Sequence, residues 1–115
     1  LIDAAAFQKM KDGVIIVNTA RGLIIDTQAL ISALKSGKVG YAALDTFEGE
    51  VGLYYLNKET QRLDNDNMAL LKSFPNVILS PHMAFYTEQA VSDMVENSIK
   101  GLLGFESGEY SLEVK

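Results

Sequence analysis

An α/β fold built on a parallel sheet is what this 115-residue sequence predicts, and three observations carry the prediction. Short apolar runs stand apart along the chain: Val14-Ile15-Ile16-Val17, Val39 to Leu44, and Val77-Ile78-Leu79. Runs of that length, apolar without alternation, suit strands buried on both faces, as in parallel sheets. Helical patterns lie between and after them, giving strand, helix, strand, loop, strand, helix, the order of α/β folds. Polar residues then follow each run: Asn18, Thr19 and Arg21; Asp45, Glu48 and Glu50; Ser80 and His82. In open α/β sheets, ligands bind beyond the carboxyl ends of the strands.

Each element has its own local justification. Asp3 suits the N-cap of a short helix reaching Met10, with alanines following. Lys11-Asp12-Gly13 marks a turn before the first strand. After Arg21-Gly22 comes a small apolar patch, and Asp26 then caps a helix to about Ser36. Leu30, Ile31 and Leu34 give that helix its buried stripe, and Gly37 suits the left-handed position that ends it. The second strand ends at Asp45, and a long polar loop, 46–76, holds one weak helix over Asn67–Ser73. The third strand ends at Ser80-Pro81-His82. Thr87 caps the longest helix, to about Leu103, with Val91, Met94, Val95, Ile99 and Leu102 on one face; 104–115 reads as a polar, peripheral tail. Three strands are few for a doubly wound domain, and two or three helices scarcely cover both faces of a parallel sheet. The Val14–Val17 strand is therefore expected to leave an apolar edge open to other chains.

Composition narrows the function. Net charge is −5, a sign that repels phosphate backbones and argues against nucleic acid as a partner. The absence of cysteine excludes disulfides, a thiolate nucleophile and a thiolate zinc site, and is compatible with a cytoplasmic location. No apolar run approaches the roughly 20 residues that cross a bilayer, so no membrane partner is expected, and no metal site is expected either. The chain opens on Leu1 at the approach to a helix and reads as a piece of something longer.

The chemistry lies at the strand ends. The chain has two arginines, Arg21 and Arg62, and one histidine, His82. Arginine grips a carboxylate bidentately, histidine exchanges protons near neutral pH, and a carboxylate beside a histidine favours the imidazolium. Arg, Glu and His converging at one sheet edge would bind an anionic substrate and exchange a proton with it. Singly, each has a plainer reading: Arg21 as a surface or capping residue, His82 as a turn histidine, Asp45 as a loop cap, Glu48 and Glu50 as solvated carboxylates. Composition does not choose between Glu48 and Glu50.

At these residues the sequence resembles the D-isomer-specific 2-hydroxyacid dehydrogenase family. MKDGVIIVNTARGLIIDTQALISALKSGKVGYAALDTFEGE resembles the family's arginine-bearing signature, and NVILSPHMAFYTEQAV its histidine-bearing one. Arg21 precedes Glu50 by 29 positions and Glu50 precedes His82 by 32, as in the D-lactate branch. The resemblance implies the C-terminal part of a Rossmann-like doubly wound parallel sheet plus a long crossing helix. Residues 1–84 would be the second half of the NAD-binding domain, and 85–115 a helix and tail returning to the substrate domain. Arg21 would hold the substrate carboxylate, His82 would give a proton to the carbonyl as NADH delivers hydride, and Glu50 would hold His82 in its protonated form. Thr19, Ala20, Arg21, Asp45 and His82 would lie at the bound NAD, and Phe85 or Tyr86 would wall the substrate side.

Two departures qualify the resemblance. Many members have proline after the glutamate, where this chain has Val51. The stretch GLYYLNKETQRLDNDNMALLKSFPNV instead resembles the longer loop of the lactate and hydroxyisocaproate branch, including enzymes associated with vancomycin resistance, which favours pyruvate as the 2-keto acid reduced. The glycine-rich G-x-G-x-x-G phosphate cradle is absent. In the family it lies upstream, so this chain alone is expected not to catalyse, while its parent, a homodimer, would. The alternative is a dehydrogenase-like co-repressor or interaction module without significant turnover.

Overall fold

The computed structural model describes residues 1–50, 52–54 and 65–108. The chain divides into two compact units, Leu1–Met83 and Ala84–Lys115.

The first unit holds α1 (Ala4–Lys9), β1 (Val14–Asn18), a 3-10 turn (Gly22–Ile24), α2 (Thr27–Lys35), β2 (Val39–Leu44), α3 (Asp66–Ser73) and β3 (Val77–Leu79). The three strands form one parallel sheet in the order β1-β2-β3. The expected α/β architecture is therefore present. Helix starts follow from capping: Asp3 Oδ1 accepts from Ala6 N at 2.8 Å, and Asp26 Oδ1 from Ala29 N at 2.8 Å. Helix α3 starts one residue before the expected Asn67, because Asn65 is the cap and accepts from Met68 N at 2.8 Å. Between β1 and β2 the register slips after Val14, which faces Val39, so that Ile15 faces Tyr41. Gly40 sits at the slip, where a Cβ would come within 2.7 Å of Gly13 O.

One pairing has no precursor in the hydrophobic pattern. Ile2 N donates to Ile24 O at 2.8 Å and Asp26 N to Ile2 O at 3.0 Å, a parallel bridge that ties the start of the chain to the segment after Arg21.

The core lies on one side of the sheet. Ile16, Ala42 and Leu44 point to it and pack with Phe7 of α1, Leu30, Ile31, Ala33 and Leu34 of α2, and Leu71 of α3. The apolar runs suit strands buried on both faces, but the few helices cover only one, in line with the expectation that they scarcely cover both. Ile15 is 64% exposed, Val17 66%, Tyr41 62% and Ile78 69%, all on the opposite face. Side chains alternate across a strand, and the buried cluster gathers α1, α2 and α3 on one face only.

The second unit is dominated by α4 (Glu88–Ser107), four residues longer than the expected end at Leu103. Thr87 caps it as expected, accepting from Ala90 N at 3.2 Å, and Gly108 ends it in the left-handed conformation. Its stripe is not buried: Met94, Val95, Ile99 and Leu102 are all exposed. No helix among the described residues is long and apolar enough to cross a membrane. Residues 51, 55–64 and 109–115, which include Arg62, part of the long loop and most of the polar tail, fall outside the described residues.

Leu30 is 2% exposed at the centre of this core. Leu30→Ala is expected to lower the unfolding free energy by about 2–5 kcal/mol, through lost burial and the cavity it leaves. Urea denaturation followed by far-ultraviolet circular dichroism measures it.

Candidate active site at the strand ends

At the end of β1, Asn18 is 6% exposed and its side chain organises the loop that follows. Its Oδ1 accepts from Ala20 N at 3.1 Å, and its Nδ2 donates to Arg21 O at 3.0 Å and to Thr46 O at 3.4 Å. One buried amide thus fixes the Thr19-Ala20-Arg21 backbone and ties it to the loop after β2. The Arg21 side chain is exposed, and its Nη1 donates to Ala20 O at 2.7 Å. Among the described residues no carboxylate pairs with it. Thr19 and Ala20 are exposed beside it.

Gly22 explains itself by contact. A Cβ there would overlap the Phe47 carbonyl and stand 2.6 Å from Glu48 N. The β1 loop and the β2 loop therefore touch backbone to backbone, which only glycine allows.

The loop after β2 turns back on itself. Glu50 N donates to Phe47 O at 3.3 Å, and Gly49 in the turn has φ 83°. Glu50 Oε2 accepts from Phe47 N at 3.1 Å, while Oε1 lies 3.1 Å from His82 Nδ1. The choice left open by composition is decided by geometry. Glu50 meets His82, whereas Glu48 is exposed and its Oε2 accepts from Thr27 N at 3.4 Å, at the start of α2. A carboxylate only accepts, so the proton of this contact belongs to Nδ1, which leaves Nε2 on the opposite edge of the ring. The Glu50 and His82 side chains are 15% and 33% exposed, sheltered yet reachable.

Asp45 is buried to 4% exposure and is bonded to all three strand ends. Its N donates to Asn18 O at 2.9 Å and its O accepts from His82 N at 2.9 Å. Its Oδ1 accepts from Ser80 Oγ at 2.5 Å and from Met83 N at 2.8 Å. His82 has φ 54°, the only non-glycine residue with positive φ among those described. For an L-residue that conformation costs on the order of 1–2 kcal/mol.

Tyr54 is a member of the site that the sequence pattern did not single out. Its ring meets Phe47 edge-on, centroids 6.3 Å apart. Burial, and then the charges of Glu50 and Asp45, push its hydroxyl pKa above the ordinary 10.0. Nothing in composition or period marks it, because its neighbours come together only when the loop folds. Phe85 and Tyr86 belong to the second unit, where both are exposed and their rings meet edge-on at 6.2 Å. Among the described residues no group of acidic or histidine side chains could hold a metal ion.

Comparison with known proteins gives the family and the fold. Residues 1–84 match the model of the D-isomer specific 2-hydroxyacid dehydrogenase, NAD binding domain. An aromatic 2-oxoacid reductase of Clostridium sporogenes is 51% identical over 92% of this chain and 32% of its own. A D-lactate dehydrogenase of Lactiplantibacillus plantarum is 46% identical over 100% of this chain and 35% of its own. The crystal structure of a Treponema pallidum D-lactate dehydrogenase superposes with a TM-score of 0.90 at 40% identity, covering 97% of this chain and 34% of that one. The chain thus spans about a third of the length of the curated relatives it matches.

Two outcomes follow from the packing. Gly22→Ala is expected to cost about 1–3 kcal/mol in stability, as overpacking does, and to shift Phe47 away from Glu50; thermal unfolding and a crystal structure of the variant read these. Tyr54 holds its proton more tightly folded than unfolded. Its contribution to stability is therefore complete below pH 10.0 and is lost as pH rises through its higher folded value. Ultraviolet titration should show a late phenolate that Tyr54→Phe removes.

Proposed function

The chain belongs to the D-isomer specific 2-hydroxyacid dehydrogenase family, and from that premise we propose that it forms the second half of the NAD-binding domain of a longer enzyme that reduces a 2-oxo acid to the D-2-hydroxy acid. The observation that carries the reading is the Glu50–His82 contact of 3.1 Å at the strand ends, on the same sheet edge as Arg21.

NADH, when bound, supplies the hydride. Exposed Thr19 and Ala20 fit a flat ring, because Asn18 holds their backbone still and their side chains are small. Arg21, Asp45 and His82 complete the set at the nicotinamide. Arg21 binds the substrate carboxylate through its planar fork and turns the 2-oxo group toward His82. The imidazolium of His82 gives its Nε2 proton to the carbonyl oxygen, and takes it back in the reverse direction. Glu50 keeps the ring oriented through Nδ1 and stabilises its positive charge, while Phe47 N fixes the carboxylate in turn. The end of the family match at residue 84 and the division after Met83 support reading 85–115 as the segment that returns to a substrate domain.

The long loop favours pyruvate as substrate. A second reading, an aromatic 2-oxo acid, is favoured by the 51% identity to the Clostridium sporogenes reductase. We further propose a cytoplasmic homodimer, in keeping with a cysteine-free chain of net charge −5.

Steady-state reduction of pyruvate and of phenylpyruvate by the full-length protein tests this reading and separates the two substrates. In that protein, Arg21→Lys should raise KM for the 2-oxo acid about 10- to 100-fold, as loss of a charged hydrogen bond does. His82→Gln should instead lower kcat by roughly 100- to 10,000-fold. Equal turnover in wild type and His82→Gln would remove the proposal.

A further inference from the structure

The strained corner at His82 has a visible support that the assigned roles of Arg21, Glu50 and His82 do not use. A positive φ in a non-glycine residue persists only where its surroundings over-determine it, and such residues gather at functional sites. Here the surroundings can be named. Ser80-Pro81-His82 is a tight turn in which His82 N reaches Ser80 O at 3.0 Å and Asp45 O at 2.9 Å. Pro81 fixes its own φ and keeps Ser80 extended. Beyond the turn, Met83 N donates to Asp45 Oδ1 at 2.8 Å. The same oxygen receives the Ser80 hydroxyl at 2.5 Å. Ser80 itself stays in register with β2, its N donating to Leu44 O at 3.0 Å.

The Asp45 side chain therefore bridges the residues on either side of His82, and its carbonyl holds His82 from below. Without that bridge, Met83 N would lose its acceptor, and the backbone would be released to a negative φ, turning the ring away from Glu50.

We propose that Ser80, acting through the Asp45 carboxylate, is a positioning residue that holds the His82 backbone in the left-handed conformation from which its ring meets Glu50. The proposal rests on His82 being the proton donor of the reading above. It makes Asp45 more than a neighbour of the cofactor: the carboxylate and the hydroxyl together aim the acid. Threonine would serve as well as serine, since it offers the same Oγ; alanine would not.

The test uses the full-length protein with Ser80→Ala and Ser80→Thr. Hydrogen–deuterium exchange by mass spectrometry over the 80–83 peptide reads the corner directly, and NADH-dependent reduction of pyruvate and phenylpyruvate reads its consequence. The expected result is faster exchange at 82–83 in Ser80→Ala, with the rest of the protein unchanged. Turnover should fall roughly tenfold or more in kcat, the size expected of a misplaced catalytic group, while KM for the 2-oxo acid and NADH binding stay within about twofold. Ser80→Thr should restore both readouts. Unchanged exchange at 82–83 in Ser80→Ala overturns the proposal whatever the kinetics. So does a loss confined to KM, or one that threonine does not repair. If wild type turns over neither 2-oxo acid, the proposed function fails, while the exchange data still decide whether Ser80 holds the corner.

Discussion

One carboxylate joins the parts of this site. Glu50 receives Phe47 N on one oxygen and faces His82 Nδ1 with the other, 3.1 Å in each case. The first contact closes the turn after β2, and the second reaches across to the end of β3. Neither would form without the sheet, because parallel register is what brings Asp45 and Ser80 to the same edge as Asn18. Gly22 then lets the arginine loop press against Phe47, so the groups on β1, β2 and β3 share one rigid surface. A side chain at residue 22 would separate them. Preorganisation of this kind is how a site avoids rearranging its dipoles during reaction.

Much of this was legible in the sequence, for local reasons. The caps at Asp3, Asp26 and Thr87 are set by residues within three positions, and each strand is a run of apolar residues. The placing of Asn18, Arg21, Asp45, Glu50, Ser80 and His82 at strand ends follows once the strands are found. The roles given to Arg21, Glu50 and His82 came from resemblance, since spacing alone left Glu48 and Glu50 equivalent. What separates them is the turn at Gly49, a conformation that composition does not encode.

Other features were beyond reach of pattern. The positive φ of His82 stands where its N meets the carbonyl of Asp45, 37 residues earlier, and no local signal announces it. Tyr54 enters the site through a loop whose folding is long-range. The Ile2–Ile25 bridge pairs two residues that read as a helix approach and a loop. The exposed face carrying Ile15, Val17, Tyr41 and Ile78 shows the opposite limit: an apolar run states that a strand can be buried on both sides, not what buries it. The stripe of α4 makes the same point for a helix.

The most direct measurement is the configuration of the product. The full-length protein is incubated with NADH and a 2-oxo acid, pyruvate or phenylpyruvate, and the hydroxy acid is resolved by chiral chromatography against the NADH consumed. An arrangement in which Arg21 fixes the carboxylate and His82 protonates the carbonyl from one side predicts the D-2-hydroxy acid alone, one molecule for each NADH oxidised. A racemic or L product, or no NADH oxidation with either acid, would contradict the account.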